Sequence, residues 1–132
     1  VDDVLNWLHR HDGRLTDFDA ISHRIDLFHR LEPDDRIMRP HQIGSTSLVA
    51  QCFDIHDVSE YADKVAQLGL SVIENSLASH LKVQQTRRYQ VEDINLAGAI
   101  DGRSYDLRYR RVMAPVTAFD GAEYTLVFAQ LL

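Results

Sequence analysis

Apolar positions in the first 35 residues recur at helical spacing. Val4, Leu5 and Leu8 form a short stripe that stops at Asp12-Gly13. Thr16, with Asp19 three residues on, is an aspartate version of the capping box. Phe18, Ile21, Ile25 and Phe28 then return every three or four residues, with His23, Arg24, Asp26 and Arg30 off the stripe. The spacing predicts a helix that ends at Glu32-Pro33, because Pro33 has no N–H for the ladder and biases Glu32 toward extended geometry. Residues 36–43 and 47–55 are expected as strands separated by Gly44-Ser45-Thr46. Pro40 marks the first as an edge or bulge, and the near-continuous apolar run of the second implies cover on both faces.

Asp57-Val58-Ser59-Glu60 is the clearest helix start, since Asp57 and Glu60 can each accept from the other's backbone N–H. Val58, Tyr61, Ala62, Val65 and Leu68 follow on one face, and Gly69 closes the helix. Residues 70–73 read as a strand or a bend, and Leu77, Ala78 and Leu81 as a further helical turn or two. Asp101-Gly102 is a two-residue type I′ hairpin signal. It sets Leu96 against Leu107, Ile94 against Tyr109 and Gly98 against Tyr105, while the other face pairs Asp93 with Arg110 and Asn95 with Arg108. Apolar meets apolar and polar meets polar, an agreement that a slip of one residue would destroy. A second turn at Asp120-Gly121, with Phe119 opposite Ala122, brings Met113 against Phe128 and Pro115 against Leu126, with a bulge or an edge expected at Pro115. Residues 87–131 are therefore expected as a three-stranded antiparallel meander. Helices within 57–85 would cover one face, and the N-terminal helices or a second subunit the other.

Composition narrows the class. The 132 residues are 45% hydrophobic and 26% charged, which is one ordinary globular domain. The formal charge is −6, with 13 acids and 7 bases in residues 1–66 against 7 of each in 67–132. A nucleic-acid-binding domain carries a basic excess, so no nucleic-acid partner is expected. No apolar run approaches the roughly 20 residues needed to span a bilayer, and no secretory signal is visible. Cys52 is the only cysteine, which fits a reducing, cytoplasmic setting and an inert thiol.

Few residues combine into recognisable chemistry. The seven histidines are scattered without the pairing of a zinc site, and they read as surface or structural residues. His80, on a segment facing the meander, is the one placed to ligate a haem iron, although a structural role is the simpler reading. Asp54, His56 and Asp57 crowd acid–base groups into four residues, but Asp57 already has a capping role. Gly44-Ser45-Thr46-Ser47 lacks the spacing and the lysine of a phosphate loop. Arg87, Arg88, Arg108 and Arg110 read as a solvated face. Strict alternation instead puts Arg111 with Tyr105, Leu107 and Tyr109 on the buried face, where a guanidinium needs a carboxylate from the protein or from a ligand.

A strand pair (36–55), short helices (57–85) and a long antiparallel meander (87–131), in that order, resemble a PAS domain. The most similar stretch runs from Tyr105-Asp106-Leu107-Arg108-Tyr109-Arg110-Arg111 through Val112-Met113-Ala114-Pro115-Val116. Asp120-Gly121 and Tyr124-Thr125-Leu126-Val127-Phe128 follow, as in the last two strands of bacterial sensory PAS domains. The resemblance covers residues 36–132 and leaves 1–35 as an N-terminal helical flank. It implies an α+β fold: a five-stranded antiparallel sheet with short helices on one face. It also implies a non-enzymatic sensory or dimerisation module of a larger bacterial regulator, forming a homodimer and holding a small molecule between sheet and helices. On strand parity Tyr105, Tyr109, Arg111 and Phe128 would line that cavity. No cofactor is named: the flavin-photosensing signature is absent, and no haem-PAS histidine motif is matched.

The competing reading is an enzyme. Strand 47–55, helix 57–68 and a returning strand 70–74 could form a βαβ unit similar to the vicinal oxygen chelate family, with His41 and Glu123 as its nearest metal ligands. A cone-shaped isomerase or dehydratase fold would instead need an Asp or His projecting into the sheet cavity. Strand order separates these readings. A PAS sheet would place strand 47–55 beyond strand 36–43 and pair the latter with the C-terminal strand 122–131, whereas the βαβ reading would run 47–55 parallel and close to 70–74.

Overall fold

The computed structural model describes residues 1–132. It is α+β, with a five-stranded antiparallel sheet and four helices. Helix α1 (Asp2–His11) carries Asp2 and Asp3 in its first turn and His9, Arg10 and His11 in its last, matching the helix dipole. It ends where the left-handed pair Asp12-Gly13 turns the chain. Val4, Trp7 and Leu8 are its buried face.

Residues 16–30 do not form the expected helix. Two 3₁₀ turns, Phe18–Ala20 and Ser22–Arg24, lead into strand β1 (Asp26–His29). The apolar spacing matched a helix because this strand is buried on both faces, so Leu27 and Phe28 both read as hydrophobic without alternation. The division at residue 35 thus falls between β1 and its neighbour β2 (Pro40–Ile43), and the stretch assigned to a flank supplies a central strand. Residues 36–39 lie outside β2, so that strand is shorter than expected. It is a sheet edge whose register with β1 shifts at Phe28–Pro40, the irregularity that Pro40 predicted.

Residues 47–55 are not a strand either. Leu48–Phe53 form helix α2, which buries Leu48, Ala50 and Phe53. Of those six residues only Val49 is β-branched, so local propensity offers little resistance to a helix. Helix α3 (Val58–Ala66) starts with the expected capping box: Asp57 accepts from Ser59 N at 2.9 Å, and Asp57 N donates to Glu60 Oε1 at 3.2 Å. Helix α4 runs unbroken from Leu70 to Thr86 and absorbs the ambiguous 70–73. With 47–55 and 70–74 both helical, the parallel βαβ unit does not form.

Strands β3 (Gln90–Ile100), β4 (Arg103–Thr117) and β5 (Glu123–Leu131) are the meander. Every β3–β4 pair is as the hairpin signal predicts, and both Asp101 and Gly102 have positive φ as a type I′ turn requires. Gly98, opposite Tyr105, is needed for another neighbour: a Cβ there would lie 3.0 Å from the Leu68 carbonyl oxygen, so the glycine admits the α3–α4 junction.

The second turn differs. Ala118 and Ala122 face each other across a three-residue loop, Phe119-Asp120-Gly121, in which only Gly121 has positive φ. Asp120 Oδ1 accepts from Ala122 N at 3.0 Å, an Asx-type lock. The β4–β5 register is therefore one residue from the expected one: Met113 faces Val127, and Val112 faces Phe128. Of the two outcomes expected at Pro115, the edge is the one observed: no bulge forms, and Pro115 sits beyond the end of β3, where β4 is paired only with β5.

Strand order is β2-β1-β5-β4-β3. The sheet separates two cores. Helices α2, α3 and α4 lie over one face, where Phe28, Phe53, Tyr61, Val65, Val83, Leu96 and Met113 pack together. Helix α1 lies over the other, with Trp7, Ile25, Leu27, Val112, Leu126 and Phe128.

Candidate functional site

Between the sheet and helices α2–α4 lies a cavity of about 70 Å³, lined by 17 residues of which 13 are hydrophobic. Larger hollows of about 480 and 800 Å³ are surface grooves. The small cavity is the candidate site because buried polar groups converge on it, and a recognition site requires such groups inside an apolar shell. Asp26, Ser47, Tyr61, Tyr109 and Arg111 all line it.

Asp26 opens β1 and faces the cavity because its partner Val127 belongs to the helix-side face. It is 4% exposed and has no cationic partner. Gly44 N donates to its Oδ1 at 3.0 Å. Gly44 is obligatory there, since a Cβ would stand 2.5 Å from the Ile25 carbonyl oxygen. Burial pushes the Asp26 carboxyl up to about 6, despite the opposing pull of Ser47 and of the Gly44 N–H. Ser47 Oγ, although beside this carboxyl, is buried without a well-formed hydrogen bond.

Arg111 lies on the opposite side of the cavity floor, on β4 between Glu92 and Ala129. It is 5% exposed. Its guanidinium donates to Ser76 Oγ, Asn75 Oδ1 and Ser79 Oγ, each at 3.2 Å, and reaches Glu92 Oε1 at 3.5 Å, while Nε has no acceptor. The carboxylate required on sequence grounds is thus present, at the far limit of contact. Burial raises the phenol of Tyr61 well above its ordinary range and that of Tyr109 in the same direction, so both remain protonated at neutral pH.

The four residues expected to line a cavity separate. Tyr109 and Arg111 do line it. Tyr105 is on the same face but packs edge-on against Phe53, with ring centroids 4.9 Å apart. Phe128 is on the opposite face, within the α1 core and under the Arg24 guanidinium, 5.1 Å from its ring centre. The one-residue change of register at Phe119-Asp120-Gly121 moved it there. Asp26 and Ser47 were missed, Asp26 because it read as the polar side of a helix. Tyr61 was read only as core.

The other candidates serve elsewhere. His80 is completely buried on α4 but does not line the cavity. Neither ring nitrogen has a partner, and burial pushes it down to about 4. One turn on, Gln84 binds Leu31 N at 2.8 Å and Leu31 O at 3.2 Å, tying the β1–β2 loop to this stretch of helix. Asp54 and His56 form an exposed pair at 2.8 Å. Glu123 is held by Arg30 at 2.8 Å and Arg87 at 2.7 Å, while His41 stacks on Tyr124. No group of three His, Cys, Asp or Glu side chains is placed to hold a metal ion. Burial raises the Cys52 thiol, consistent with an unreactive side chain. No helix is long and apolar enough to cross a membrane.

Compared with known proteins, the chain matches no family model, no curated protein and no solved structure.

Proposed function

We propose that this chain is a PAS-like sensory module, the ligand-sensing or dimerisation part of a larger cytoplasmic bacterial regulator, acting as a homodimer. The observation that carries this reading is the strand order. An edge strand lies outside its neighbour and that neighbour lies against the C-terminal strand, as in a PAS sheet, but the strands in these places are 40–43 and 26–29, not the expected 47–55 and 36–43, since 48–53 is helical and 40–43 pairs only with β1. The helix-covered cavity supports it, because a ligand there would contact both the sheet and the layer of helices α2–α4. A sensor works when such contacts differ between two packings of that layer.

A thermal-shift screen against small metabolites, run in parallel on Tyr109→Ala and Arg108→Ala, tests the reading. Tyr109 lines the cavity and Arg108 points away from it. A hit that persists in Arg108→Ala and weakens at least about tenfold in Tyr109→Ala supports a cavity ligand. Equal effects in the two variants contradict it.

A second reading is a small-molecule acid–base enzyme, and Asp26 favours it. A buried carboxyl poised near neutrality in a cavity that two phenols and a guanidinium also line has the character of a general base. Under that reading Asp26→Asn abolishes turnover of a bound compound; under the sensory reading the compound is recovered unchanged by both proteins.

A further inference from the structure

We propose that Arg111 is an anion receptor, and that the cavity takes a small carboxylate, bound through the Nε edge of the guanidinium. The inference rests on the cavity being a ligand site and adds the charge of what enters it.

The hydrogen bonding of Arg111 carries the argument. Charge-assisted bonds to a carboxylate are about 2.7–2.9 Å long. Arg111 has none of that length: three of its contacts are to neutral oxygens at 3.2 Å, and the only carboxylate stands at 3.5 Å. That carboxylate, Glu92, is itself 34% exposed and shares its charge with solvent. A guanidinium taken out of water without a close counter-charge is costly, and a buried one normally has an anionic partner. Nε is buried and has no acceptor at all. Of the Nε–Nη2 edge, Nη2 already donates to Asn75, Ser79 and Glu92, so the free donor offered to an entering carboxylate is the Nε–H.

Size and surroundings agree. The cavity is the smallest of the hollows described and mostly apolar-walled, which suits a compact anion better than an extended one. The protonated hydroxyl of Tyr109 shares this space and can donate to an anion. Asp26 is the one acid lining the cavity, and it stands on β1, separated from β4 by β5.

The full chain, ¹⁵N-labelled, would be titrated with sodium acetate and separately with acetamide, its neutral isostere, at constant ionic strength. The expected result is a saturable shift of the Arg111 Nε–H resonance with acetate, at least about tenfold tighter than with acetamide. Arg111→Gln should lose acetate binding. Because that variant risks the fold, Glu92→Gln provides an independent arm: removing the competing carboxylate should tighten acetate several-fold. Equal binding of acetate and acetamide, or an unchanged affinity in Glu92→Gln, overturns the anion proposal but leaves a ligand cavity standing. Shifts confined to exposed arginines such as Arg88 and Arg108 also overturn it. If neither compound perturbs any cavity-lining residue, the cavity reading falls together with the proposal.

Discussion

The two faces of one sheet are packed by different rules. On the α1 side, Val4, Trp7, Ile25, Leu27, Val112 and Leu126 make an apolar core whose one unpartnered polar atom is the Trp7 indole nitrogen. On the helix-covered side lie all six buried polar residues: Asp26, Ser47, Ser79, His80, Arg111 and Thr125. Four side-chain atoms there lack partners. Buried polar groups without partners cost free energy, so concentrating them on one face weakens that face. Natural folds accept such costs mainly at functional sites. The α1 side holds the sheet together; the other side is organised around a cavity.

The largest expected effect breaks the first half of this comparison. Leu126 is fully buried against α1, and Leu126→Ala should cost about 2–5 kcal/mol in urea unfolding. Binding in the cavity should be unchanged once the protein is folded; a parallel loss of binding would mean that the two faces are not independent.

Next come two opposing titrations on the helix side. The raised Asp26 pKa contributes stability that is complete below the unfolded value of 3.8 and disappears as pH rises through about 6. The depressed His80 pKa contributes stability present above 6.5 and lost as pH falls through about 4. Each is worth about 3 kcal/mol, and between pH 4 and 6 they offset one another. Asp26→Asn should therefore gain stability relative to the wild type as pH rises across this window, and His80→Leu should gain as pH falls. Urea midpoints measured across the window check both signs, and equal slopes in all three proteins would contradict the burial assigned to these groups.

Smaller effects sharpen the account. Gly98→Ala places a methyl group 3.0 Å from the Leu68 carbonyl oxygen and should cost about 1–3 kcal/mol of overpacking, read as a lower melting temperature. Asp93→Asn breaks the exposed pair with Arg110, and neither melting temperature nor cavity binding should move measurably.

The helix-side face was legible in the sequence where local chemistry decides geometry. Asp101-Gly102 specified a turn type and with it eleven cross-strand pairs. Asp57 and Glu60 announced a helix through reciprocal hydrogen bonds. Legibility failed where burial erased periodicity. Strand β1 is covered on both sides, so Asp26 lost the polar context that would have marked it as unusual. Helix α2 is six residues long, too short for an apolar run to distinguish helix from strand. Phe128 was misassigned by a single residue of turn length, since Asp120-Gly121 forms part of a three-residue loop rather than a two-residue turn. Arg111 was legible because strict alternation held along β4, whereas its carboxylate neighbour Glu92 was not singled out.

The division of labour between the faces is tested most directly by methyl NMR of the wild-type chain under xenon, which enters apolar cavities without regard to charge. Methyl groups of Met38, Val65, Met113 and Val127, which line the cavity, should shift saturably, while those of Val4, Val112, Val116 and Leu126 stay fixed. Shifts on the α1 side, or none on the helix side, would contradict the account.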